Sequence, residues 1–329
     1  MPWPPPPWLE TLPKGPHYQQ GISLSEWTTI RVGGGAEVWA TFDDWAQFQS
    51  FLAQKNPSIP LTLVGKGSNM VVRDGGLPGV VAHLGKGFDG IEIKDNCVYA
   101  EAGAGCGSVA RAAREQSLAG IEFFGGIPGS VGGALRMNAG AYGTETFTDL
   151  ERLWLIDASG NIHDVKPDFV APRYRGTTLP DGWFYKAGLW RLKPGDKESI
   201  RLKMREINHA RSTSQPLHLP SSGSWFKNVI VTEQNIEKIG KFFQRARVGD
   251  TVNAWRVVDV AGCRGWQEGG AQVSDMHCNF FVNLGGATAR DLEALSARVE
   301  AHVYEKIGIN LDREVRFLGV DLLPPDVLG

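Results

Sequence analysis

Apolar positions recur at helical spacing in a few stretches of the chain and at strand spacing in many more. Asp43–Asp44 opens a segment in which Trp45, Phe48, Phe51 and Leu52 share one face. This predicts a helix capped by a carboxylate at its positive end. The clearest helix comes near the far end, where Thr288 and Asp291 form a capping box. Leu292, Leu295, Val299, Val303 and Ile307 make one stripe before Gly308, a core face. An Ala-rich helix is predicted over Ser108–Leu118, with Gly120 just past its end. Short apolar runs predict strands at Leu61–Val64, Val80–Leu84, Ile91–Ile93 and Val98–Glu101, the last two joined by a Lys-Asp-Asn turn. TTIRVGGGAEVWA, ending at Ala40, reads as strand, glycine turn, strand. Leu153–His163 reads as a hairpin turning on Ala-Ser-Gly-Asn.

The pattern changes after Asn208. RSTSQPLHLPSSGSWFKN is polar and turn-rich, and reads as a linker that leaves a β-rich unit of residues 24–200 and enters a second domain. A last strand is predicted over Arg313–Leu323. No internal repeat is evident.

Composition narrows the possibilities. The chain has 329 residues, with 34 Lys+Arg against 36 Asp+Glu and a net charge of −2. No basic footprint is present to match nucleic-acid phosphates, so no nucleic-acid partner is expected. No apolar run approaches the ~20 residues that cross a bilayer, so no membrane association is expected. The N-terminal MPWPPPPWLE lacks the basic and apolar regions of a signal peptide and reads as an extended Pro-rich tail. Cys97, Cys106, Cys263 and Cys278 are scattered, as in a reduced, cytoplasmic protein, and the seven histidines show no ligand spacing, so no metal is expected. Glycine is the unusual residue: 41 of 329, well above the ~7% typical of proteins. It clusters at Gly33–Gly35, Gly65–Gly67, Gly103–Gly107 and from Gly125 to Gly143.

GKGFDG at Gly85–Gly90 matches the letters of a dinucleotide fingerprint, but a strand follows it where the mechanism needs a helix. It is a plain turn. Neither the P-loop nor the nucleophile-elbow pattern occurs. GKGSN (Gly65–Asn69) directly follows an apolar strand, and its successive amides can make an anion-holding concavity, with Ser68 and Asn69 as further donors. GIPGSVGGALRMNAGAYG (Gly126–Gly143) reads as a second, longer loop of the same type. Two such loops suit a dinucleotide with two phosphates.

With these loops in place the chain resembles the UDP-N-acetylenolpyruvoylglucosamine reductase family. TTIRVGGGAEVW, LVGKGSNMVVRDGG, GIPGSVGGALRMNAGAYG, YRGT, GSWFKN, QVSDMHCNFFVN and REVRFLG carry the resemblance in order from about Ser25 to Gly319. The short stretch from Lys186 to Ser214 resembles the compact variety, which lacks an inserted tyrosine-bearing loop. The resemblance implies an α+β fold with a p-cresol-methylhydroxylase-type FAD-binding unit of two subdomains (21–85 and 86–205) behind the tail (1–20). A substrate-binding domain (206–312) and a C-terminal strand segment returning to the flavin site (313–329) would follow. It also implies a monomer.

The implied chemistry is a ping-pong reduction by NADPH through non-covalent FAD, with UDP-N-acetylglucosamine enolpyruvate as substrate and UDP-N-acetylmuramate as product. FAD would be held by Gly65, Lys66, Gly67, Ser68, Asn69, Gly126, Ile127, Pro128, Gly129, Ser130, Gly132, Gly133, Asn138, Gly140 and Ala141. Ser224 in GSWFKN would protonate C2, Arg175 in YRGT would hold and polarise the carboxylate, and Glu314 in REVRFLG would orient or activate it. Tyr174, Arg211, Lys227, Asn228 and His277 are candidates for substrate binding. Two departures stand out: Thr177 replaces the usual serine after the arginine, and Val229 stands where many relatives carry proline. The rival reading is an alcohol or sugar oxidase of the same flavin superfamily. Such enzymes often anchor flavin through a His or Cys near the first glycine loop, where this chain offers Ser68 and Asn69, with His83 well downstream.

Overall fold

A computed structural model describes residues 3–322. The chain forms two compact units interleaved in sequence. The first comprises Met1–Ile22, Ala36–Lys66 and Pro78–Thr213; the second comprises Ser23–Gly35, Gly67–Leu77 and Ser214–Gly329. Strands and helices mix in both, an α+β architecture. Among the described residues no helix is long and apolar enough to cross a membrane.

The first unit has two apolar cores. One lies under a four-stranded sheet in the order His17–Gln19, Ala36–Phe42, Leu77–Leu84, Leu61–Val64, where the last two strands run parallel. Helix α1 (Trp45–Gln54) belongs to this core. Asp44 caps it, its Oδ1 accepting from the Gln47 amide at 2.8 Å. The predicted face, Trp45, Phe48, Phe51 and Leu52, is buried. Phe48 and Phe51 meet Phe42 edge-on at 5.0 and 5.1 Å between centroids, and burying such side chains stabilises by roughly 1.5–3 kcal/mol each. The Pro-rich segment is not simply an extended tail. Leu9–Thr11 forms a 3-10 turn, Leu12 is buried, and Trp8 and Leu9 lie against the core. The prolines deny an α-helix, but the apolar residues among them still find a surface to cover.

The second core of this unit lies on a five-stranded antiparallel sheet in the order Ile162–Val165, Leu150–Ile156, Phe184–Arg191, Cys97–Glu101, Ile91–Lys94. The Asp95–Asn96 turn has both residues at positive φ (49° and 62°), as a two-residue hairpin requires. Three helices contribute to this core: α2 (Cys106–Glu115), α3 (Val131–Met137) and α4 (Lys197–Ser214). Helix α2 starts two residues before the predicted bound and ends three before it. Helix α3 lies where a loop was predicted, because Ser130 caps a start that the glycines had obscured. Helix α4 is the larger correction. Residues 211–214, read as linker, are its last turn, and Ile200, Met204 and Ile207 anchor it to this unit at i, i+4 and i+7 spacing.

The second unit has one core, on a four-stranded sheet in the order Ser221–Ser224, Phe280–Asn283, Ala271–Val273, Gln267–Glu268. Helices α5 (Ile236–Gly240), α6 (Ala254–Ala261) and α7 (Ala289–Ile307) complete it. Helix α7 has the predicted capping box, buried stripe and left-handed Gly308 end. The segment before Gly33 is not a strand. Ile30 and Val32 are core residues here, Arg31 takes positive φ (57°), and Asn283 Nδ2 holds the Ile30 carbonyl at 3.1 Å. Met70–Val72 pairs in parallel with Arg316–Leu318, which is all that forms of the predicted last strand; Leu323 lies outside the described residues.

Candidate active site

In the first unit three glycine-bearing segments converge. A Cβ on Gly65 would stand 2.8 Å from Ser130 Oγ, and one on Gly105 would meet Lys66 Nζ at 2.6 Å. Gly105 bridges to Ser130, Cys106 N–H donates to the Gly129 carbonyl at 3.1 Å, and Val131 and Gly132 N–H donate to Ala104 and Ala102. Ser130 Oγ accepts from the Gly133 amide at 3.4 Å. The segments are bare backbone because side chains would fill the space, and one ammonium lies among them. A bare-amide cradle with a hydroxyl and a lysine suits a diphosphate. Here Gly65, Lys66, Gly129, Ser130, Gly132 and Gly133 come together. Cys106 is fully buried and its thiol is pushed up to about 12 by burial, a protonated sulfur unsuited to covalent flavin attachment. His83 stacks on Trp39 at 5.6 Å, and burial lowers its pKa.

Beyond α3 the chain turns back on itself. Asn138, in left-handed conformation (φ 40°), ends the helix and is nearly fully buried. Its Nδ2 donates to Glu145 and to the Arg173 carbonyl, and its Oδ1 accepts from Phe147, so its side chain braces loops. Gly140–Ala141 pairs with Thr144–Glu145. Arg175 Nη2 donates to the Gly140 carbonyl at 3.0 Å, and its guanidinium lies over the Tyr174 ring at 4.9 Å. Arg211, near the end of α4, lies beside Gly126, where a Cβ would be 3.4 Å from its Cδ. Burial lowers the Arg211 pKa. Ile127 and Pro128 link Gly126 to the Gly129–Ser130 cap.

In the second unit a β-irregularity positions Ser224. The strand pairs Ser221 with Val282 and Ser224 with Phe280, so one extra residue bulges between them, and Gly223 supplies the positive φ (79°). Trp225 and Phe226, both buried, anchor the chain immediately after Ser224. Trp225 stacks on Phe281 at 4.3 Å and donates through Nε1 to Ser296 Oγ at 2.8 Å. Asn279 clamps Phe226 by two bonds of 2.9 and 2.8 Å. On the other side Glu314 N–H donates to the Trp225 carbonyl at 2.8 Å. Glu314 is thus fixed one residue from Ser224.

Ser68 and Asn69 join them in the same unit. Asn69 Nδ2 donates to the Glu314 carbonyl at 3.3 Å, Arg316 N–H donates to the Asn69 carbonyl at 3.2 Å, and a Cβ on Gly223 would be 3.8 Å from the Ser68 carbonyl. Gly67 takes positive φ (61°) and a Cβ there would stand 2.0 Å from the Trp27 carbonyl. Arg313, next to Glu314 in the chain, bridges to Glu300. Lys227 N–H donates to the Asp312 carbonyl. Asn228 Oδ1 accepts from Ala254 N–H at the start of α6. His277 Nδ1 accepts from Asn279 N–H, which requires a neutral ring at that nitrogen, and burial lowers its pKa. Among the described residues no group of three or more His, Cys, Asp or Glu is placed to hold a metal.

Sequence reasoning missed the supports: the Asn279 clamp, the Trp225–Ser296 bond, and a hydrogen-bonded cluster of Arg136, Thr177 and Tyr185, of which Thr177 lies two residues after Arg175. Nothing periodic marks them. Arg136, Thr177, Trp225 and Asn279 lie inside the motifs quoted above, whereas Tyr185 and Ser296 lie in none.

Comparison with known proteins places the chain in a family. A family model described as the C-terminal domain of UDP-N-acetylenolpyruvoylglucosamine reductase matches residues 215–318, and an FAD binding domain model matches residues 36–166. A UDP-N-acetylenolpyruvoylglucosamine reductase of Methylorubrum extorquens is 43% identical over 303 residues, 92% of each chain. That of Parvibaculum lavamentivorans is 42% identical over 297 residues, 90% of this chain and 89% of the relative. The crystal structure of UDP-N-acetylenolpyruvylglucosamine reductase from Thermus caldophilus superposes with a TM-score of 0.75 at 30% identity, covering 93% of this chain and 99% of the other. Such identity over nearly the whole of both chains shows that this protein belongs to the UDP-N-acetylenolpyruvoylglucosamine reductase family and is an FAD-dependent oxidoreductase.

Proposed function

We propose that the protein reduces UDP-N-acetylglucosamine enolpyruvate to UDP-N-acetylmuramate with NADPH, in the cytoplasm, in two half-reactions. When bound, FAD would supply the hydride chemistry that couples NADPH oxidation to reduction at C3 of the enolpyruvyl group. Gly65, Lys66, Gly67, Ser68, Asn69, Gly126–Ser130, Gly132, Gly133, Asn138, Gly140 and Ala141 are assigned to holding it. Hydride arrival at C3 leaves negative charge at C2 and in the adjoining carboxylate. Ser224 gives its hydroxyl proton to C2. A serine hydroxyl is a weak acid, so this transfer needs a strongly basic acceptor and close geometry. Arg175 holds the carboxylate, the planar two-point task a guanidinium suits. Glu314 is assigned to orienting or activating that carboxylate. Lys227 and Asn228 are assigned to the substrate's diphosphate or uridine, with Tyr174, Arg211 and His277 as further substrate-binding candidates.

The observation that supports this reading best is the meeting, within the second unit, of Ser224, Glu314 and the Ser68–Asn69 end of the first glycine loop. The test is NADPH consumption with and without the enolpyruvyl sugar nucleotide, with the product identified by mass. Consumption that needs this substrate, and a product heavier by one hydride and one proton, supports the reading. NADPH consumption driven equally by oxygen, with the sugar nucleotide unchanged, would transfer weight to the oxidase.

A further inference from the structure

Arg175 stands on a turn that is left-handed at that residue (φ 55°), a conformation that side chains other than glycine hold only when their surroundings impose it. Those surroundings all belong to the first unit. Arg173 and Gly176 close the turn on each other, each amide donating to the other's carbonyl at 2.9 and 3.1 Å. Ahead of Arg175, the Arg173 carbonyl accepts from Asn138 Nδ2 at 3.2 Å. Behind it, Thr177 is only 3% exposed and is held through both its hydroxyl and its carbonyl. The hydroxyl donates to the Arg136 carbonyl at 3.0 Å, and Arg136 Nη1 donates to the Thr177 carbonyl at 2.9 Å. The Tyr185 phenol donates to Thr177 Oγ1 at 2.8 Å.

The direction of this chain of bonds follows from its end. A carbonyl has no proton to give, so Thr177 must donate to Arg136 and the phenol must donate to Thr177. Burial pushes the Tyr185 phenol up to about 12, so it keeps its proton at neutral pH. Arg136 lies on α3, the helix that Ser130 caps, so the Arg175 turn and the second glycine-rich segment are fastened to one short helix.

We propose that Thr177 and Tyr185 are positioning residues for the reduction step, setting through Arg136 where Arg175 holds the substrate carboxylate. The inference rests on the carboxylate-holding role assigned to Arg175. Neither residue needs to touch substrate or flavin. Thr177→Val keeps the volume but leaves the Arg136 carbonyl and the Tyr185 hydroxyl buried without their partner, so the turn shifts to relieve them. Thr177→Ser keeps the hydroxyl.

The test measures both half-reactions by anaerobic stopped-flow absorbance: flavin bleaching by NADPH, then its return with the enolpyruvyl sugar nucleotide. T177V should slow the return by about tenfold or more and leave bleaching within about twofold, while T177S restores the return. In an R175A background T177V should add nothing, because a residue acting through Arg175 has nothing left to position. Y185F removes one donor and leaves the Thr177–Arg136 bonds intact, so it carries the same cycle if T177V fails to fold, with a smaller effect. An impaired R175A in which the second substitution retains its full effect overturns the inference alone. An R175A whose flavin returns at the wild-type rate overturns the Arg175 reading on which it rests.

Discussion

Gly67→Ala isolates the cost of placing a side chain in the first glycine loop. Two penalties combine there. Positive φ (61°) costs any alanine about 1–2 kcal/mol. The new Cβ also falls 2.0 Å from the Trp27 carbonyl oxygen and 2.8 Å from Thr28 Cα, where ordinary contact begins at 3.4 Å. The two backbones must therefore part by 3.4 − 2.0, about 1.4 Å, and that opens the bond from Thr29 N–H to the Gly67 carbonyl, now 3.1 Å. Overpacking typically costs about 1–3 kcal/mol, and the lost bond about 1 more, for a total of about 3–6 kcal/mol. Gly143→Ala is the control. It has positive φ (81°) with nothing within 4 Å of its Cβ, so it should cost only the conformational term, about 1–2 kcal/mol. Thermal unfolding and FAD titration of the apoprotein measure both variants. G67A should unfold well below G143A and bind FAD at least about tenfold more weakly than wild type, since Ser68 and Asn69 move with the loop. Equal melting temperatures for the two variants would refute the steric reasoning, and unchanged FAD affinity in a destabilised G67A would refute the loop's role in holding the cofactor.

Other outcomes follow from the same structure. Ser224→Ala should leave FAD bound and NADPH bleaching intact while slowing the return of the flavin bands with substrate by about 100-fold or more, by stopped-flow. Trp225→Phe removes the Nε1 donor to Ser296 in a buried setting and should cost about 1–3 kcal/mol of unfolding free energy by chemical denaturation. Burial lowers the folded pKa of His83 and His277 below the unfolded value of about 6.5, so the unfolded chain binds more protons in that window. Their contribution is therefore present above pH 6.5 or so and is lost as pH falls toward the folded values. His277→Gln should flatten the melting temperature's decline between about pH 7 and 5.5 relative to wild type. Ile207→Ala should lower stability by about 2–4 kcal/mol, because α4 is a core helix of the first unit and not a linker.

What could be read from the chain alone depended on how far each signal reached. Helix α1 and α7 announce themselves within one element: Asp44 before a four-residue apolar face, Thr288 and Asp291 before a five-residue stripe. Helix α4 was illegible because Ile200, Met204 and Ile207 are its only buried anchors, set among charged residues, and Ser212-Thr213-Ser214 reads locally as turn. Ile30 and Val32 alternate as in a strand, yet their partner is Asn283, some 250 positions away, and Arg31 breaks the extended backbone between them. At the site, Ser224, Arg175 and Glu314 were legible only inside motifs, never by residue type. Their supports are tertiary. No spacing rule links Thr177 to Arg136 or Trp225 to Ser296, since these bonds depend on which elements the fold brings side by side.

The most direct test of the account is anaerobic absorbance of the purified protein through both half-reactions. NADPH should bleach the flavin bands and UDP-N-acetylglucosamine enolpyruvate should restore them, with UDP-N-acetylmuramate formed in equal amount. Bands that bleach with NADPH but stay bleached in the presence of that sugar nucleotide would contradict it.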